Sequence, residues 1–282
     1  MRENLPKHGI GFSLLAAVIL LPPFAIQGQA LESAGEKPRY TKTTYTYKVV
    51  DNHEIHADVH RYTDDEIRPA ILWLHGGALI FGSRNGPETE QLDRYLAAGY
   101  TVVSIDYRLA PETKLPGIIE DLEDAYAWLR AQGPELFNID ADRIAVIGHS
   151  AGGYLTLMAG VRLKPRPDAL VSFYGYGDIT GPWYSQPSAF HNQRPPISRE
   201  DAVETVGPNP PPAERWSDGR PKFYLYCRQQ GLWPVEVSGH DPKRMASGFA
   251  TMNPREGSQS HIPQRFCSMA RRTRMCPSSS PC

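Results

Sequence analysis

The stretch Arg143-Ile144-Ala145-Val146-Ile147-Gly148-His149-Ser150-Ala151-Gly152-Gly153 decides how this chain is read. A short β-branched run ends in a turn of small residues that carries one serine. The spacing Gly148-x-Ser150-x-Gly152 is that of a strand bending abruptly into a helix, where a Cβ two positions either side of the serine would clash. Such a turn holds its serine in a sparsely populated backbone conformation, at a cost of roughly 1–3 kcal/mol, and presents the hydroxyl as a nucleophile. Ser150 is therefore the candidate catalytic residue, with Gly148 and Gly152 as its structural frame.

Upstream, Ala70-Ile71-Leu72-Trp73-Leu74 reads as a buried strand running into His75-Gly76-Gly77-Ala78. A glycine-rich loop in this position fits an oxyanion hole. The backbone N–H groups of Gly77 and Ala78 can converge with that of Ala151 on the oxygen of a tetrahedral intermediate, with Gly76 in the same loop. Each such donor is typically worth about 10²–10³ in rate, and glycine lets the backbone approach without a side chain in the way. Between loop and serine lies Asp106-Tyr107-Arg108-Leu109-Ala110-Pro111-Glu112.

Together, from about Thr43 to Arg244, these motifs resemble the α/β-hydrolases, in particular the branch near hormone-sensitive lipase and the acetyl-esterases. The resemblance implies a mostly parallel central sheet with helices on both faces and a cap insertion. It implies that His75 anchors the oxyanion loop, that His149 points away from the pocket, and that Asp106, Arg108 and Asp121 support the loops through ion pairs. Ala78 stands where the family usually has a third glycine or an aromatic residue.

The rest of the chain fits that frame. With 30 basic and 31 acidic residues among 282, and 40% hydrophobic residues, it describes one globular domain with a sizeable core. No nucleic-acid partner is implied by this balance. Thr43 to Val50 and Ile55 to Arg61 alternate as two strands with a turn at Asp51-Asn52. Helical spacing from Glu88 to Ala98, a strand from Tyr100 to Ile105, and an amphipathic helix from Ile118 to Gln132 closed by Gly133-Pro134 follow. Ala169 to Phe173 is a further strand, and the rhythm of strand and helix means a parallel sheet. Residues 175–240, rich in Pro, Trp and Tyr, read as the cap; the aromatics include Trp183, Tyr184, Phe190, Trp216, Tyr224, Tyr226 and Trp233.

Residues 1–30 read as a secretory signal: Arg2 and Lys7, an apolar run from Ile10 to Leu21 too short to span a bilayer, then Gly28-Gln29-Ala30 before a cleavage point. The expectation is a secreted protein without stable membrane insertion. No Asn-x-Ser/Thr site occurs.

A serine nucleophile needs an imidazole to take its proton and an acid to orient that imidazole. The resemblance implies an acid after the seventh strand and a histidine near the end, and neither is found. His240-Asp241 look like turn chemistry, and Asp178 and His191 fall in the cap. After Arg244 the chain loses strand periodicity, so 245–282 reads as an aberrant tail with the last strands missing. Taking the last base of each codon with the first two of the next gives a different picture. Phe266/Cys267 then must give Leu, Met269/Ala270 must give Gly, and Met275/Cys276 must give Val. With permitted choices elsewhere, 261–276 becomes Tyr-Pro-Pro-Thr-Leu-Leu-Leu-His-Gly-Glu-Glu-Asp-Glu-Asp-Val-Pro. The expectation is a reading frame that slips by one base beyond about Arg244. The tail cysteines then carry no disulfide logic.

The functional expectation is a serine hydrolase of small carboxylic esters, needing no metal or cofactor. Two alternatives stand beside it. One is a non-catalytic truncated relative, and the other a peptidase of the prolyl-oligopeptidase kind.

Overall fold

The computed structural model describes residues 40–85, 87–207, 219–244, 246–249, 251–254 and 266–268. The expected signal segment and most of 245–282 lie outside them, as does Trp216. Asp51 (φ 49°) and Asn52 (φ 63°) both take the left-handed conformation that a tight hairpin demands and that Asp and Asn tolerate. That turn joins β1 (Tyr40–Val50) to β2 (His53–Tyr62) antiparallel. Beyond it come β3 (Arg68–Leu74), β4 (Thr101–Ile105), β5 (Ile139–His149) and β6 (Ala169–Phe173). With β7 (Phe266–Ser268) the spatial order is β1-β2-β4-β3-β5-β6-β7, and every pair from β4 onward is parallel.

Period-2 alternation along the central strands splits the core in two. Ala70, Leu72 and Leu74 of β3 face the large cluster with α2 (Leu115–Phe137) and α3 (Ala151–Arg162). Ile71 and Trp73 face the opposite way, with Leu92 and Leu96 of α1 (Thr89–Ala97). Helices on both faces explain why these strands read as continuous apolar runs.

Two expectations need correction. Helix α2 does not stop at Gly133-Pro134 but runs on to Phe137, with Pro134 inside it. Packing wins over the local breaker: buried Phe137 rests 5.6 Å from Tyr45 and 5.7 Å from Trp128, and Asn138 (φ 53°) ends the helix instead. Second, a strand does exist after Arg244: β7 (Phe266–Ser268) pairs with Leu170–Ser172 of β6. Parallel pairing to an open edge needs backbone groups rather than side-chain periodicity, so the pattern did not reveal it. The cap is built of short helices: α4 (Pro182–Ser185), α5 (Arg199–Val203), α6 (Arg220–Gln230) and α7 (Trp233–Ser238).

Candidate active site

Ser150 sits between β5 and α3 with φ 55° and ψ −116°, a conformation that L residues rarely hold. Its N–H donates to the Phe173 carbonyl at the end of β6 (2.9 Å), and its carbonyl accepts from Tyr154 N–H (3.0 Å). The flanking glycines are required by space. A Cβ on Gly148 would lie 2.4 Å from the Gly152 carbonyl, and one on Gly152 would lie 2.0 Å from the Leu74 oxygen and 2.6 Å from that of His75. The first turn of α3 thus presses against the strand that leads into the glycine loop, so Ser150, Ala151 and the loop from His75 are neighbours.

The loop is held in an unusual shape. Gly77 (φ 116°), Ala78 (φ 56°) and Leu79 (φ 63°) are three successive residues with positive φ, and two carry a Cβ. Each of those two costs on the order of 1 kcal/mol or more, which the surroundings must offset. They do so through the carbonyls. Gly77 O accepts from Ile80 and Phe81 N–H (both 2.9 Å), Ala78 O from the Trp233 indole (2.9 Å) and Leu79 O from Ala110 N–H (2.8 Å). Ile80 O accepts from Arg220, whose guanidinium also reaches Ala110 O (2.6 Å) and pairs with Glu112 (2.7 Å). The cap therefore holds the loop in place through Arg220 and Trp233.

His75 is buried and stacks on Tyr107, ring centroids 4.0 Å apart and nearly parallel. Its Nδ1 donates to Gly76 O (2.7 Å). Burial pushes its pKa down to about 4, with His149 adding to the effect and the Gly76 bond opposing it. A ring that stays neutral and is tied to its own loop braces that loop. His149 packs against Trp73 (5.3 Å) and Tyr174 (6.0 Å) and lines a groove of about 480 Å³ with Tyr95 and Phe173. Asp106 is buried after β4 and accepts from Arg84 N–H (2.8 Å) and its guanidinium. Burial raises its pKa, against the lowering by Arg84. Arg108 grips Asp121 on α2 through Nε (2.8 Å) and Nη2 (2.7 Å). Asp106, Arg108 and Asp121 are all committed to structural ion pairs.

Burial pushes the pKa of the Tyr176 phenol far up, and the neighbouring Ser150 hydroxyl works against that rise. Tyr176 lies in an aromatic wall, 5.5 Å from Tyr184, 5.5 Å from Trp233 and 5.8 Å from Tyr154. Sequence reasoning missed Tyr176, Arg220 and the loop contact of Trp233. Gly175, beside Tyr176, packs so tightly on Gly153 that a Cβ would lie 2.3 Å from that backbone. The cap aromatics Trp183 and Phe190 are largely exposed. His191 stands off the serine, bonded to Ser188 Oγ (2.9 Å) and edge-on to Tyr224. His240 packs on Phe249. No histidine is found bonded to Ser150 among the described residues, nor any cluster of metal-ligating side chains.

Residues 71–207 match a family model described as the alpha/beta hydrolase fold. The chain is 32% identical over 252 residues to the non-reducing polyketide synthase ausA of Emericella nidulans, covering 77% of this chain and 10% of that protein. It is 35% identical over 159 residues to the non-reducing polyketide synthase atr1 of Stereocaulon alpinum, covering 51% of this chain and 6% of that protein. The chain thus spans about a tenth or less of these relatives. Among solved structures, a Staphylococcus aureus protein of unknown function superposes with TM-score 0.62 at 22% identity, over 75% of this chain and 72% of that one. An alpha/beta hydrolase superfamily protein from Enterococcus faecalis gives 0.55 at 25%, over 74% and 73%. Carboxyl esterase 2 of the fungus Tuber melanosporum gives 0.50 at 23%, over 81% and 64%.

Proposed function

The chain belongs to the α/β-hydrolase fold family, and from that premise we propose that it hydrolyses carboxylic esters through an acyl-enzyme on Ser150. The observation that carries this reading is the strained Ser150 (φ 55°, ψ −116°) at the start of α3, beside the loop Gly76-Gly77-Ala78. Ser150 Oγ attacks the ester carbonyl, the alkoxide leaves with a proton, and water then releases the acid. The N–H groups of Gly77, Ala78 and Ala151 are assigned to the developing oxyanion, in a loop whose shape is fixed before substrate arrives. Turnover of p-nitrophenyl acetate tests it: the wild type should exceed Ser150→Ala by at least about 10³ if the machinery is intact. Equal rates sink the proposal.

A second reading rests on the missing imidazole: among the described residues no histidine is bonded to Ser150, and the titratable side chain described beside it is the Tyr176 phenol. The chain as written would retain only roughly 10³–10⁴ over water from oxyanion stabilisation and binding. On this reading the segment bearing acid and histidine is encoded in the neighbouring frame. Residues 1–30 are read as a cleaved secretory signal, so N-terminal sequencing of exported protein should begin at Leu31.

A further inference from the structure

Arg228 of α6 is the one cation set into the aromatic wall beside Ser150, and it is poorly satisfied. It is 7% exposed. Its Nη2 donates to the Trp183 carbonyl (2.8 Å), and its guanidinium carbon lies 4.7 Å from the centroid of the Tyr184 ring. Among the described residues Nε and Nη1 are buried without a hydrogen-bond partner and no ion pair of Arg228 is found. The cation–π contact offsets only part of the cost of burying an unpaired ion. Arg220, eight residues before Arg228 on the same helix, shows what a settled buried arginine looks like here: it has Glu112 and two carbonyls.

The position matters as much as the deficit. Tyr184, on which the guanidinium rests, lies 5.5 Å from Tyr176, and Tyr176 stacks at 5.8 Å on Tyr154, whose N–H donates to the Ser150 carbonyl. The Arg228 charge is felt along this wall: it works against the burial-driven rise of the Tyr176, Tyr184 and Tyr224 phenols and lowers His191. Between nucleophile and cation lie flat rings, with Trp233 closing the row 4.9 Å from Tyr184. Asp178 acts on Tyr184 as well, yet its carboxylate is engaged by the Thr180 N–H and hydroxyl.

We propose that Arg228 is an anion-recognition residue, and that the site takes ester substrates bearing a carboxylate on an aromatic or similarly flat body. The carboxylate would take the Nε and Nη1 donors as charge-assisted hydrogen bonds while the flat body lies along Tyr176 and Tyr184. This deepens the esterase reading and rests on it for the word substrate, but binding can be measured without turnover.

The experiment is calorimetric titration of the full chain with benzoate and with its neutral isostere benzamide, repeated on Arg228→Gln and Ser150→Ala. Benzoate should bind at least tenfold more tightly than benzamide to the wild type. Arg228→Gln should bring that ratio close to one, and Ser150→Ala should leave it unchanged. Equal binding of the two ligands to the wild type, or an unchanged ratio in Arg228→Gln, overturns the proposal. If Arg228→Gln does not fold, phenylglyoxal labelling of the wild type decides: benzoate must protect Arg228 where benzamide does not, and equal labelling is a refutation. Absence of Ser150-dependent ester turnover, with the benzoate preference intact, would refute the esterase reading alone.

Discussion

Gly152 and Gly99 are both glycines at helix ends, and they illustrate how differently one residue type can be constrained. At Gly152 an added methyl would meet the Leu74 oxygen at 2.0 Å, so β3 or α3 must move. Gly152→Ala should therefore cost on the order of 3 kcal/mol or prevent folding. At Gly99 (φ 85°) nothing lies within 4 Å, and Ala there should cost only about 1 kcal/mol for the positive φ. Urea denaturation of the two variants measures the contrast, and similar losses would contradict it. His75 carries a pH prediction. Its folded pKa of about 4 lies below the ordinary 6.5, so the neutral ring is the form the fold favours. That contribution is complete above pH 6.5 and is lost as pH falls from 6.5 toward 4, by about 3 kcal/mol across the window. His75→Asn should consequently lose less stability between pH 7 and pH 4.5 than the wild type does.

At the scale of elements, the sheet and the elbow were legible because each obeys a local rule. The hairpin at Asp51-Asn52, the apolar run of β4 and the small residues around Ser150 need no distant partner to be recognised. The cap was not legible, because its meaning lies in contacts more than a hundred residues apart. Arg220 reaches Ile80, and Trp233 reaches Ala78. Those links carry a prediction. Trp233→Phe keeps most of the ring against Tyr176 and Tyr184 but removes the indole donor, leaving the Ala78 carbonyl unsatisfied at a strained position. Global stability should fall by about 1–3 kcal/mol. If the chain turns over ester, kcat should fall more than KM rises, because the loop serves the oxyanion rather than the bound ester. An unchanged kcat would detach the cap from the loop.

For the whole molecule, the decisive stretch is β7. Phe266–Ser268 pairs in parallel with Leu170–Ser172, at the edge of the sheet where the next strand of an α/β-hydrolase belongs. In the neighbouring frame those same three positions spell Leu-Leu-His, within Leu-Leu-Leu-His-Gly followed by an acidic cluster and Val-Pro. Three of the shifted residues, at Phe266, Met269 and Met275, are forced by the genetic code whatever codons are used. The sheet register and the shifted reading thus arrive independently at one strand position. A parallel strand is normally a continuous apolar run, and at 265–267 the shifted frame reads Leu-Leu-Leu where the present frame reads Arg-Phe-Cys. The expected outcome is that genomic and transcript sequence from the Lys243 codon through Cys282 spells this strand one base out of register, followed by a histidine codon further on. A protein made in that frame should hydrolyse p-nitrophenyl acetate faster than the present chain by at least about 10³, the usual worth of a triad base. If the codons do not spell the strand, or if the present chain already turns over ester at the restored protein's rate, the frame proposal is wrong and Tyr176 must be reconsidered as the group that serves Ser150.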